Sequence, residues 1–300
     1  MSITAPTIRC QDRLLPHGIT LACRASGPDA ARPQVMLLHG FPEAAFIWDE
    51  VMLRLAQGAG VACVAPNLRG YPGSSAPAEL AAYRAKPLVA DIAALIEALG
   101  GPVDLLVAHD WGGALAWSLA AMRPELMKRL LIINSPHPAT FLRELRDNPA
   151  QQAASKYMNF LCRPDAEALL VERDFARLWP FFGKPAWLTP VLREQYRAAW
   201  ACGLAGPLNF YRASPLRPAS GPADALQTLV LPDAAVTVRV PTTVLWGETD
   251  RALLPGLLDG LERWVPDLRI QRVAAASHWI VHEQPALVAD LIQALLPETA

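Results

Sequence analysis

The sequence predicts an α/β protein: a mostly parallel central sheet flanked by helices, with a block of helices inserted between two of its strands. Three observations carry this. Apolar runs of strand length alternate with helical periods along most of the chain. The strand candidates are apolar at successive positions, as strands covered on both faces are. And convincing strand patterns disappear between about 138 and 235, where helix-length stretches take over.

In chain order, strands are predicted at roughly 19–24, 34–39, 61–65, 103–108, 129–134, 242–246 and 268–273. Helical periods fall near 48–57, 87–99, 112–122, 255–264 and 285–296. The intervening block carries stretches such as 149–162 and 190–203, broken by prolines. A helical block between two strands of an open sheet belongs over the carboxyl ends of the strands, where such sheets bind ligands. The expected organisation is one core domain, 1–137 and 236–300, split by a helical cap, 138–235. Three hundred residues with 52% hydrophobic content are ample for a substantial core.

Composition narrows the partners. Formal net charge is -1 and the basic residues are scattered, so nothing attracts nucleic acid or an anionic membrane surface. The opening MSITAPTIRC lacks the basic start and apolar stretch of a signal peptide, and no apolar run approaches the roughly 18 residues of a membrane span. A cytoplasmic location is expected, with a homodimer left open. The five cysteines (10, 23, 63, 162 and 202) are odd in number and without CxxC spacing, which predicts reduced thiols, mostly buried as small hydrophobes. With no HExxH and no phosphate-cradling loop, neither a metal nor a cofactor is expected.

The chemistry-bearing stretch is VAHDWGG, Val107–Gly113, between the apolar run from Val103 and the helical pattern that begins at Ala114. A strand, a tight turn of small residues and a helix make the nucleophile elbow of an α/β-hydrolase, where serine is the usual nucleophile. Here the residue is Asp110, which by itself is equally an N-cap. Other positions raise its standing. His39-Gly40-Phe41-Pro42-Glu43 follows a strand and offers an amide that, with the one after the nucleophile, would form an oxyanion hole from Phe41 and Trp111. Asp250 follows the strand Thr242–Trp246, and His278 follows the next one. Singly these are loop, capping and structural residues. Together they give the chain order nucleophile, acid, histidine of the α/β-hydrolase arrangement.

A carboxylate is a competent nucleophile toward an electrophilic sp³ carbon when held and partly desolvated, and the product is an alkyl ester. His278, oriented by Asp250, would then activate water against that ester's carbonyl. Two leaving groups suit this route: a halide, which needs N–H donors such as tryptophan, or an epoxide oxygen, which needs an acid.

HGFPE at 39–43, HDWGG at 109–113 and GPLNFYR at 206–212 resemble the soluble epoxide hydrolases of the α/β-hydrolase fold, over essentially the whole chain. The resemblance implies an epoxide substrate opened by two cap tyrosines. These are Tyr157, in Ser155-Lys156-Tyr157-Met158-Asn159-Phe160, and Tyr211, in Gly206-Pro207-Leu208-Asn209-Phe210-Tyr211-Arg212. Departures from the family pattern are Ala108 and Ser277 in place of glycine, and Asn159 and Cys162 in a thinner aromatic run. His137, at the entry to the cap, and Phe160 and Trp279 are expected to contact substrate. His39 and His109 are expected to hold loops, His282 to lie outside the site, and His17 to be surface.

Competing readings use the same residues. Haloalkane dehalogenases share the Asp-Trp pair but usually carry Asn where this chain has Phe41. Haloacetate dehalogenases place arginines after the nucleophile, where this chain has Trp111 and Ala114. A ligand receptor without catalysis would not need a complete triad.

Overall fold

The computed structural model describes residues 6–28, 32–58, 60–221 and 224–297. Its strands are β1 Arg9–Leu14, β2 Thr20–Ser26, β3 Val35–Leu38, β4 Cys63–Pro66, β5 Val103–His109, β6 Met127–Ile133, β7 Thr242–Gly247 and β8 Leu268–Val273. They form one sheet in the order β1-β2-β4-β3-β5-β6-β7-β8. β1, β2 and β4 pair antiparallel, and the remaining neighbours pair parallel.

β3, β4, β5 and β7 are buried at every position, which suits a sheet covered on both faces. Their alternate residues feed two apolar layers. Val35, Leu37, Leu105 and Val107 face α1 (Asp49–Gly58), α12 (Ile280–Glu283) and α13 (Pro285–Leu295). Met36, Leu38, Leu106 and Ala108 face α2 (Ala85–Ala98) and α3 (Asp110–Met122). β1 was not expected, because RCQDRL is largely exposed and has no apolar alternation. A polar edge strand protects the sheet from pairing with another chain.

Between β6 and β7 the chain forms α4 Pro138–Asp147, α5 Pro149–Ala154, α6 Tyr157–Leu161, α7 Ala166–Phe175, α8 Trp179–Phe182, α9 Pro190–Ala201, α10 Ala205–Ala213 and α11 Asp233–Val236. Where one helical stretch was expected over 149–162, two short helices meet at Ser155-Lys156. The helical period over 255–264 is instead two 3₁₀ turns separated by Gly260, whose φ of 73 ends any continuous helix. The cysteine expectation is corrected too. All five thiols are free, but only Cys23 and Cys63 are buried; Cys10 lies on the exposed edge strand and Cys202 caps the outer end of α9. Among the described residues no helix is long and apolar enough to cross a membrane.

The register decides where chemistry can happen. Leu38 pairs with Ala108, His109 with Ile133, Ile133 with Leu245 and Gly247 with Val273, so the carboxyl ends of five strands lie level. β3 has β4 on one side and β5 on the other, so the strand order reverses there and a crevice opens. The loops carrying Phe41, Asp110, Asn134, Asp250 and His278 all start from this end of the sheet.

Candidate active site

Asp110 opens α3 with φ 49, a left-handed conformation that costs a non-glycine residue about 1–2 kcal/mol. Small neighbours make the turn possible. A Cβ on Gly112 would come within 2.6 Å of the Leu38 carbonyl oxygen, one on Gly113 would strike the Ser135 side chain, and one on Gly40 would strike the Asp110 carboxylate. The Ser135 hydroxyl donates to the Asp110 carbonyl at 2.6 Å. The Phe41 amide donates to Asp110 Oδ1 at 2.8 Å. Trp111 follows in the first turn of α3, where backbone amides have no partner inside the helix.

His278 Nδ1 lies 2.7 Å from Asp250 Oδ2, and its Nε2 lies 3.7 Å from Asp110 Oδ2. Asp250 is fully engaged. Its Oδ1 accepts from the amides of Ala252 and Leu253, and its Oδ2 also accepts from Asn134 Nδ2 at 2.9 Å. Burial works to raise the Asp250 pKa, but the His278 charge, its hydrogen bond and the two amides hold it below the ordinary value. For His278, burial disfavours the cation, yet the charge and hydrogen bond of Asp250, with Asp110 and Glu43 behind, raise it to about 9. The imidazole therefore rests protonated between two carboxylates at neutral pH.

The loop bearing His278 is braced by a departure from the glycine pattern. The Ser277 hydroxyl and amide both donate to Glu283, and the same hydroxyl accepts from the Trp279 amide. Behind the triad, Glu43 is a buried carboxylate with three partners. Its oxygens lie 3.0 Å from His109 Nδ1, 3.3 Å from His282 Nε2 and 3.0 Å from the Tyr196 hydroxyl that donates to it. His109 Nε2 in turn lies 2.9 Å from the His278 carbonyl oxygen, so this cluster links the loops of nucleophile and base. His282, expected outside the site, lines neither cavity described below but belongs to this second layer. His39 and His109 do hold loops: His39 accepts from the Leu68 amide at 3.1 Å, while burial pushes its pKa down to about 4 and keeps it neutral.

Two cavities meet at Asp110, and both are lined by Tyr157 and Tyr211 as well. The tyrosine rings lie 6.2 Å apart, and Tyr211 packs edge-on against Phe41 and Trp111. Both phenols are pushed up in pKa, chiefly by burial. For Tyr157 the charges of Asp110 and Asp250 add to this, and for Tyr211 those of Tyr157, Asp110 and Tyr71. Both therefore stay protonated. α10 can bring Tyr211 this close because Gly206 lies directly on Gly70, where either Cβ would collide with the other's backbone.

Trp279 lines the second cavity, but His137 and Phe160 line neither. His137 caps α4: its Nδ1 accepts from the Ala139 amide and its Nε2 lies 2.7 Å from the Val236 carbonyl oxygen, so both nitrogens are spent on backbone. Its neighbours Pro136 and Pro138 line the wall instead. Asn134, Glu43 and Glu283 were missed as site residues. Asn134 has φ 39 immediately after a strand end, a feature that sequence alone does not carry. Among the described residues, no group of three or more His, Cys, Asp or Glu side chains is arranged to hold a metal ion.

Comparison with known proteins shows the family. The pattern of the alpha/beta hydrolase fold family matches residues 33–285. Epoxide hydrolase 4 of Mus musculus is 32% identical over 96% of this chain and 79% of its own length. The chain belongs to the epoxide hydrolase family of the α/β-hydrolase fold. Another member of the superfamily, the AB hydrolase superfamily protein YfhM of Bacillus subtilis (strain 168), is 37% identical over 92% of this chain and 94% of its own. Among solved structures, an epoxide hydrolase of Bacillus megaterium in complex with an inhibitor superposes with a TM-score of 0.85. It is 31% identical, over 95% of this chain and 99% of that one. As a family member the chain is an enzyme of the hydrolase class.

Proposed function

We propose that this epoxide hydrolase opens an epoxide to a vicinal diol through an alkyl ester on Asp110, which water activated by His278 then hydrolyses. The observation that carries the reading is the convergence of one carboxylate, two protonated phenols and a carboxylate-held histidine on one cavity wall. Residues 138–235 act as the cap that supplies both phenols, and 1–137 with 236–300 act as the core that supplies the triad.

The protons balance through the cycle. Asp110 attacks a ring carbon, the C–O bond breaks, and a phenol of the Tyr157–Tyr211 pair gives its proton to the leaving oxygen. The resulting phenolate is neutralised by the His278 imidazolium, directly or through water. Ester formation also removes the Asp110 charge, one of the charges that raise the His278 pKa, so the imidazole left neutral by that transfer is less readily reprotonated when a base is needed. It takes a proton from water, the hydroxide attacks the ester carbonyl, and the Phe41 and Trp111 amides stabilise the oxyanion. Collapse breaks the ester C–O bond, the departing oxygen takes the proton of the newly formed carboxyl group, and the diol leaves with Asp110 again a carboxylate beside a protonated His278. Net consumption is one epoxide and one water.

The dehalogenase reading needs the Trp111 indole as a halide donor, whereas in this site that ring packs edge-on against Tyr211, with centroids 5.0 Å apart. A panel of aryl and alkyl epoxides and halogenated alkanes, scored for diol against halide release, separates the two. Tyr157→Phe and Tyr211→Phe should each slow ester formation in rapid-quench experiments with styrene oxide. The pair should lose about 10² to 10⁴-fold, the usual worth of general-acid help. Halide release without diol, or an unchanged alkylation rate in the double variant, overturns the epoxide reading.

A further inference from the structure

The two cavities that meet at Asp110 differ in size and chemistry. The first, of about 150 Å³, is walled by Leu88, Leu115, Phe141, Met158 and Leu216, and Asp110 is its sole charged lining residue. Its Ser118 and Ser135 hydroxyls are spent on backbone carbonyls. An apolar cavity of roughly 150 Å³ stays dry and accepts a benzene-sized group. The second is about 600 Å³ and opens between the inserted helices and the strand-end loops. Lys184 enters it from the segment after α8, and Arg251 from the loop after β7. Both are exposed, and neither has an ion-pair or hydrogen-bond partner among the described residues. The carboxylates lining that cavity are Asp110 and Asp250, the latter held by His278. Its lining thus carries two exposed cations without a partner among the described residues, one from the inserted helices and one from the strand-end loops, beside two carboxylates that belong to the triad.

With the oxirane held at Asp110 and the two phenols, substituents on its two ring carbons would lie one in each cavity. Resting on the epoxide-opening reading of this site, we propose that the preferred substrate is a 1,2-disubstituted epoxide. It bears a phenyl-sized apolar group, seated in the small cavity, and on the other carbon a chain ending in a carboxylate, held by Lys184 and Arg251. This orientation also keeps the substrate's charge away from the Asp110 nucleophile.

The test compares two synthetic epoxides with a phenyl group on one ring carbon and an alkyl chain on the other. One chain ends in a carboxylate and its isosteric partner in a primary amide. The readout is the ratio of their kcat/KM values. Exposed charge pairs are individually modest, so the wild-type ratio should favour the carboxylate by about 3- to 10-fold at low salt, mainly through KM. It should fall toward one as ionic strength shortens the screening length. Lys184→Gln with Arg251→Gln should bring the ratio to about one, and Lys184→Glu should lower it further. A wild-type ratio of one or less at low salt overturns the proposal, as does a ratio indifferent to salt; diol formation from the amide substrate in either case leaves the epoxide reading intact. Diol from styrene oxide but from neither disubstituted epoxide also overturns the proposal. Absence of diol from any epoxide overturns both.

Discussion

Asp110, His278 and Asp250 form a line of alternating charge, and their coupling makes two predictions. The first concerns the base. His278→Gln keeps the nucleophile and both phenols, so it should still form the ester and then stall. Mass spectrometry after incubation with an epoxide should find enzyme plus the intact substrate mass, and continued multiple turnover would reassign the base. The second concerns pH. The His278 pKa, about 9, rests on Asp250 first and on Asp110 as a further charge. Replacing Asp110 with Asn should lower it while leaving it raised by Asp250, as followed by NMR of the imidazole ring. A raised histidine pKa stabilises the fold fully below its unfolded value of about 6.5 and loses that contribution as pH rises through the folded value. The wild type should therefore lose urea resistance relative to His278→Gln between about pH 6.5 and 9. A gap that widens with pH would contradict the assignment.

The elbow is the element on which the site depends. Residues Val107–Gly113 were legible because a carboxylate between small residues, after an apolar strand and before a helix, is confined to two roles, helix cap or nucleophile. The physical cost of the turn is visible only in three dimensions. Gly112 faces the end of β3 so closely that an added methyl meets a backbone oxygen, which cannot swing aside as a side chain can. Gly112→Ala should thus destabilise by about 1–3 kcal/mol, the usual range for overpacking, read as a lower urea midpoint. An unchanged midpoint would mean that the elbow is looser than described. The helices of the insertion were less legible. Their apolar positions serve several small packing surfaces rather than one stripe, and the breaks at Ser155-Lys156 and around Arg173–Phe175, where three successive residues have positive φ, have no proline or glycine to announce them. His137 illustrates the same limit. Its place between two elements was readable, whereas its use as a helix cap depends on Ala139 and the distant Val236.

For the whole molecule, the parallel strands could be read because burial on both faces leaves a continuous apolar signature. The polar edge strand β1 could not, since nothing buries it. The residues that converge at the strand ends were readable by type and order. The layer that fixes them was not: Asn134 on Asp250, and Glu43 between His109, His282 and Tyr196, are polar contacts between segments far apart in sequence. The claim that unites these scales is that water attacks an ester carbonyl on Asp110 rather than a carbon of the epoxide. A single turnover of unlabelled enzyme in ¹⁸O-water, with enzyme in excess over styrene oxide, tests it directly. The account predicts an unlabelled diol and one ¹⁸O in the peptide containing Asp110, whereas labelled diol with an unlabelled aspartate would mean direct attack by water and would contradict it.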